Sequence, residues 1–152
     1  GKPASFAGVA AAMDVVLAEL GLDAGQCDLF DGSGLSRNNR IAPQLLTDLL
    51  VLAADGSRPE LSALFAGLPV AGWSGTLVNR YVSPNTAGLG VVRAKTGTLT
   101  GVHSLSGVVT TAEGRLLAFA IMADGLPRKV GSWEAQPALD RIAAELAACG
   151  CR

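Results

Sequence analysis

Lys95-Thr96-Gly97-Thr98 gathers one ammonium, two hydroxyls and a glycine at the close of an apolar run. A lysine at a strand end with hydroxyls beside it can direct a cation, two donors and an exposed backbone N–H at one small anionic group. Gly97 lacks the side chain that would obstruct that approach. Upstream, Ser36-Arg37-Asn38 sits inside the run Asp31-Gly32-Ser33-Gly34-Leu35-Ser36-Arg37-Asn38-Asn39. A hydroxyl and a carboxamide two residues apart on a turn can point to one side, the first relaying a proton and the second donating and accepting hydrogen bonds. Taken singly, each motif has a plainer explanation: the Ser36 run as turn residues bonding their own backbone, the Lys95 run as a surface lysine among β-favouring threonines. Arg37 receives no role. None of the serines has a lysine three residues further on, so the chain lacks a serine nucleophile with its lysine one helical turn away. His103 is the lone histidine, and Ser104 beside it in a strand points to the opposite face, which argues against a Ser-His-Asp arrangement.

The elements that must hold these residues follow from hydrophobic period. Phe6, Val9, Ala10, Met13, Val16, Leu17 and Leu20 share one helical face, with Ser5 as N-cap and Gly21 just beyond the end. Cys27 to Phe30 reads as a short strand leading into the Gly-Ser-Gly turn, which puts the Ser36 motif on a loop. Pro43 opens a second helix carrying Leu45, Leu46, Leu49, Leu50 and Ala53 and stopping before Gly56, and a shorter helix covers Glu60 to Phe65. Residues 67–90, rich in Gly, Pro, Ser and Asn, form an ordered loop with a helical turn at Leu77 to Tyr81; Trp73, Tyr81 and Trp133 are expected to be packing anchors. The period then becomes two: Val91–Lys95, His103–Thr110 and Arg115–Ala123 are predicted strands, the last two joined at Glu113-Gly114. Leu116 to Ile121 is apolar on both faces and is expected at the centre of a sheet. A final helix is predicted to open at Pro137, with Leu139, Ile142, Ala143 and Leu146 inward and Asp140, Arg141 and Glu145 in water. Helices, an antiparallel meander and a closing helix give an α+β class, an antiparallel sheet covered by helices.

Composition narrows the function. The chain has 152 residues, 49% apolar and 16% charged with net charge -1, so it has the size and apolar content to bury a core and lacks the basic stripe that nucleic-acid binding needs. Its longest apolar run, Leu116 to Ala123, is too short to cross a bilayer. Cys27, Cys149 and Cys151 have no zinc-site spacing, which argues against a metal; pairing of a terminal cysteine with Cys27 or with a cysteine outside the chain stays open. No cofactor is expected.

Both motifs in this order, with Gly1-Lys2-Pro3-Ala4-Ser5-Phe6, Leu68-Pro69-Val70-Ala71-Gly72, Ser74-Gly75-Thr76-Leu77 and the run Ala94 to Val102, resemble the class C low-molecular-mass penicillin-binding proteins. These are serine D-alanyl-D-alanine carboxypeptidases and endopeptidases of family S13, and the resemblance covers nearly the whole chain. It implies the penicillin-binding-protein/β-lactamase-like transpeptidase fold, of which residues 1–152 would be the C-terminal part of the D,D-peptidase domain. It also implies an acyl-enzyme route on D-alanyl-D-alanine ends or cross-links of peptidoglycan stem peptides, with acylation by β-lactams. Ser36 would pass a proton, Asn38 would hold the nucleophile's lysine and the substrate amide, and Lys95 would supply positive potential. Thr96 and Thr98 would bind the terminal carboxylate beside Gly97, and the Thr98 N–H would serve the oxyanion hole. The Ser-x-x-Lys nucleophile is expected upstream, in an N-terminal portion that accompanies this one, in an extracytoplasmic enzyme. The competing expectations are an inactive wall-peptide-binding homologue and a β-lactamase- or esterase-like relative.

Overall fold

The computed structural model describes residues 4–127 and 130–150, so Gly1-Lys2-Pro3 and Cys151 lie outside the described residues. The chain divides into two compact units, Gly1–Leu49 and Leu50–Arg152.

In the first unit, helix α1 spans Phe6–Glu19, where the Ser5 side chain accepts from the Gly8 N–H and Gly21 follows the end at φ 76°. Cap and stop are those predicted, but the apolar face is uncovered: Phe6 is 72% and Val16 50% exposed, and only Gly8 and Ala10 of the helix are buried. Strand β1 (Cys27–Asp28) is shorter than expected and pairs antiparallel with β2 (Arg40–Ile41), which two residues are too few to signal by periodicity. The pairing closes residues 29–39 into a loop. Helix α2 runs Pro43–Ala54 as the proline and leucine spacing predicts.

The second unit is built on one sheet. After a 3₁₀ turn at Pro59–Ser62 comes the short helix α3, Ala63–Gly67. Strands β3 (Val92–Leu99), β4 (Val102–Thr110) and β5 (Leu116–Ala123) lie in the order β3-β4-β5, all antiparallel, and helix α4 (Ser132–Cys149) packs on one face. The tight β3–β4 connection uses Gly101 at φ 80°, a left-handed conformation that a side chain disfavours. Register between these strands depends on Gly107 opposite Ala94, since a Cβ at 107 would stand 2.0 Å from the Arg93 carbonyl oxygen. On the α4 face Val92, Ala94, Leu105, Val109 and Phe119 meet Leu139, Ala143 and Ala147. On the other face Val108 and Ala118 meet Leu50, Phe65 and Leu68. Burying each large aliphatic side chain here contributes about 1.5–3 kcal/mol.

Among the described residues β5 pairs with β4 alone, and it is apolar on both sides because both faces of the sheet are covered. Three expectations are corrected. Helix α4 begins at Ser132, with Pro137 inside it, and forfeits only one bond near its start. Its buried stripe is Ala135, Leu139, Asp140, Ala143, Ala144 and Ala147, while Ile142 is 46% exposed. Alanines allow the close approach to the sheet, and a reading that followed the larger side chains rotated the inward face. Of the aromatic anchors only Tyr81 is buried; Trp73 and Trp133 are 80% and 74% exposed.

Candidate active site

Lys95, Thr96, Gly97 and Thr98 lie within β3, which continues through Leu99, so the lysine stands in mid-strand and not at its end. Directly paired residues share a face: Lys95 stands with Ser106 and Gly97 with Ser104, whereas Thr96 stands with Leu105 and Thr98 with His103. Gly97 has a cross-strand reason of its own, because a Cβ there would come within 2.3 Å of the Ser104 hydroxyl oxygen. The Lys95 ammonium donates to the Thr96 carbonyl at 2.8 Å, and the Thr96 hydroxyl donates to that of Thr76 at 3.0 Å. His103 is buried, and its Nδ1 has no partner among the described residues.

The outer edge of β3 is half occupied. The Ala71 N–H donates to the Val92 carbonyl and the Ala94 N–H to the Pro69 carbonyl, both at 2.9 Å, so residues 69–71 line that edge at the start of the strand. Backbone groups alternate sides along a strand, so the N–H groups of Thr96 and Thr98 point the same way as that of Ala94, beyond where the 69–71 segment leaves off. A carboxylate or an extended peptide approaching there would meet two backbone donors at the edge, with the two threonine hydroxyls on one face of the strand and the lysine side chain leaving from the other.

The loop behind Thr76 is tied to α4. Arg80 grips Asp140 with two donors, Nε at 3.0 Å and Nη2 at 2.7 Å, and both side chains are nearly fully buried. Asn85 Nδ2 donates to the Pro137 carbonyl at 3.2 Å. Asp140 thus faces inward, against the sequence expectation, because a bidentate guanidinium compensates the burial of its charge. Between them Tyr81 takes φ 63° and is 1% exposed, packed so closely on Gly88 that a Cβ there would sit 2.3 Å from its ring. Burial, with the Asp140 carboxylate adding to it, pushes the Tyr81 phenol well above its ordinary range. Nearer the strand, the Ser74 hydroxyl accepts from the Val70 N–H at 3.0 Å, and Gly75–Leu77 forms a 3₁₀ turn anchored by fully buried Leu77. These bonds fix the turn that carries Thr76.

Ser36 and Asn38 lie in the first unit, on the loop between β1 and β2. The hub of that loop is buried Asp31, which accepts from the Ser33 hydroxyl, from Asn39 Nδ2 at 2.6 Å and from the N–H groups of Leu35 and Ser36 at 3.1 and 3.3 Å. The Ser33 and Asn39 bonds, then the backbone donors, hold its carboxyl down at about 2. Asn39 also accepts from the Phe30 N–H at 2.8 Å. Arg40 Nη1 donates to the Arg37 and Asn39 carbonyls at 2.9 and 2.8 Å. The Ser36 hydroxyl accepts from the Asn38 N–H at 3.3 Å, a local turn bond, and the Asn38 side chain is exposed. Asn39 behaves as the turn residue that the plainer explanation makes it, while Asp31, Thr76, Ser104 and the Arg80–Asp140 pair were not singled out. For Asp31 the Asx-turn preference was a usable signal; for the others only the register and the fold bring the partners together.

Among the described residues no group of three or more His, Cys, Asp or Glu side chains could hold a metal ion.

An antiparallel sheet backed by helices, with Lys-Thr-Gly on a strand whose edge opens beside the motif, places the molecule among the penicillin-binding proteins. Its fold matches that of penicillin binding protein 4 (dacB) from Haemophilus influenzae with a TM-score of 0.82 and 32% identity, over 96% of this chain and 33% of that one. The chain belongs to the D-Ala-D-Ala carboxypeptidase 3 (S13) family, whose model matches residues 1–146. It is similar to Carboxypeptidase DacB of Mycolicibacterium smegmatis, 40% identical over 99% of this chain and 32% of that protein. It is also similar to the D-alanyl-D-alanine carboxypeptidase of an Actinomadura species, 47% identical over 74% of this chain and 21% of that protein. The chain therefore spans no more than about a third of the length of these relatives.

Proposed function

We propose that this chain is the C-terminal part of a serine D-alanyl-D-alanine carboxypeptidase or endopeptidase acting on peptidoglycan stem peptides, extracytoplasmic like its substrate and acylated by penicillins. The observation that carries the reading is the Lys95–Thr98 strand with its threonine N–H groups directed to the open edge, in a family of D-Ala-D-Ala carboxypeptidases. A serine followed three residues later by lysine, supplied by the N-terminal portion, attacks the carbonyl between the two D-alanines. The terminal D-alanine leaves with a proton on its amine, and water then releases the acyl group. Lys95 and the hydroxyls of Thr96 and Thr98 hold the terminal carboxylate, while the Thr98 N–H faces the oxygen on which negative charge develops. A β-lactam complex of the Haemophilus influenzae protein supports the same ligand class for this strand. The uncovered apolar face of α1 supports an additional segment in the working enzyme.

Ser36 and Asn38 are assigned the proton relay on the resemblance of their loop. The local bond from the Asn38 N–H to the Ser36 hydroxyl favours a second reading, in which the loop is a scaffold and the relay lies upstream. Ser36→Ala and Asn38→Ala in the full-length enzyme decide between them: acylation by penicillin slowed about a hundredfold or more supports the relay. Acylation at the parent rate in both variants, with unchanged melting, assigns the loop to the scaffold.

A further inference from the structure

Thr76 is an exposed residue on a turn that nothing in the reading above uses, yet its hydroxyl meets that of Thr96 at 3.0 Å. The turn is held from three sides: Ser74 to the Val70 N–H, Leu77 by full burial, and the Arg80–Asp140 pair a few residues on. That is much fixed structure beneath one exposed threonine. A hydroxyl has one proton to give and two lone pairs to receive. While the Thr96 proton points at Thr76 it cannot be given to a ligand. A carboxylate accepts only, so its arrival at Thr96 requires that proton to swing outward, and the Thr96 oxygen then needs a donor behind it. Thr76 is the hydroxyl in place to supply one.

We propose that Thr76 is a positioning residue for carboxylate recognition. By reversing its hydrogen bond with Thr96, it donates to the Thr96 oxygen and frees the Thr96 proton for the substrate's terminal carboxylate. No covalent bond changes; two hydroxyl rotors turn, and the chain Thr76 to Thr96 to carboxylate replaces a closed pair. Hydrogen bonds in such a chain polarise one another, so the donor behind strengthens the bond in front. The inference rests on the proposed role of Thr96 and extends it to the wall of the site.

The test is carried out on the full-length enzyme with penicillin and with its methyl ester, which has no carboxylate. Thr76→Val, which keeps shape and loses the hydroxyl, is expected to slow acylation by penicillin about tenfold while changing the ester rate little, and Thr76→Ser to restore the parent behaviour. In a Thr96→Val background, Thr76→Val should add nothing further. Equal losses with penicillin and ester, additive losses in the double variant, or no loss with either ligand would overturn the role of Thr76. If Thr96→Val itself leaves the preference for penicillin over its ester intact, the carboxylate role of Thr96 falls, and this inference with it; a changed preference in Thr96→Val alone removes only Thr76.

Discussion

Lys95→Ala in the full-length enzyme is expected to slow acylation by penicillin roughly 100- to 1000-fold, the loss that accompanies removal of one preorganised electrostatic group from a site where negative charge gathers. The ammonium sits in mid-strand, with its Nζ bonded to the Thr96 carbonyl, so the strand holds the charge in place before any ligand arrives. Little need reorganise when a carboxylate binds, which is what makes a fixed charge effective. The fold should survive, because Lys95 is exposed and its bond is to the adjacent residue. Arginine at this position keeps the charge but not the compact ammonium geometry, so Lys95→Arg should recover part of the rate. Stopped-flow acylation with each variant, alongside a melting curve, separates these outcomes. Parent-like acylation by Lys95→Ala would remove the lysine from the site.

A second large effect is expected in stability. Asp140→Ala leaves the Arg80 guanidinium buried with no counter-charge, and loss of one partner from such a pair costs about 3–5 kcal/mol. The geometry is of the strong kind, two nearly parallel donors to one carboxylate at 3.0 and 2.7 Å with little solvent access. Removal should also loosen the loop over α4, since Asn85 Nδ2 to the Pro137 carbonyl at 3.2 Å and Arg80 Nη2 to the Gln136 carbonyl at 3.4 Å are uncharged-acceptor ties and weaker ones. Thermal unfolding of the full-length enzyme should show the transition lowered by several degrees, while Asp140→Leu combined with Arg80→Met recovers much of the loss by removing both charges. A single Asp140→Ala variant melting with the parent would show that the pair does not hold the loop. Because the loop carries Thr76, the same variant is expected to acylate more slowly near its melting range.

The helices at Phe6–Glu19 and Pro43–Ala54 were legible because cap, period and stop agreed at each. The meander was legible from its alternation and its glycine turns. Sheet order was not, for β5 is apolar on both faces whichever place it occupies, and only its pairing puts it beside β4. Asp140 was misplaced because a carboxylate's preference for water yields to a partner sixty residues away in sequence, which no local window contains. The four residues of the lysine strand, which lie together on β3, were singled out by type and spacing. Thr76 was not, because its meaning depends on a turn that folds it back against β3. The Ser36 loop shows the opposite limit: its residues and their turn bonding were visible, while the hub that buried Asp31 makes of that loop was not.

In the proposed function this chain carries the ligand-holding side of a penicillin-acylated site whose serine lies in another part of the polypeptide. Labelling with a fluorescent penicillin, resolved on a denaturing gel with the mass of each band measured, tests it most directly. A covalent label is expected on the full-length enzyme, lost on adding excess unlabelled penicillin, and none on the 152-residue chain alone. A stable label on the isolated chain, or a folded full-length enzyme that takes none, would contradict it.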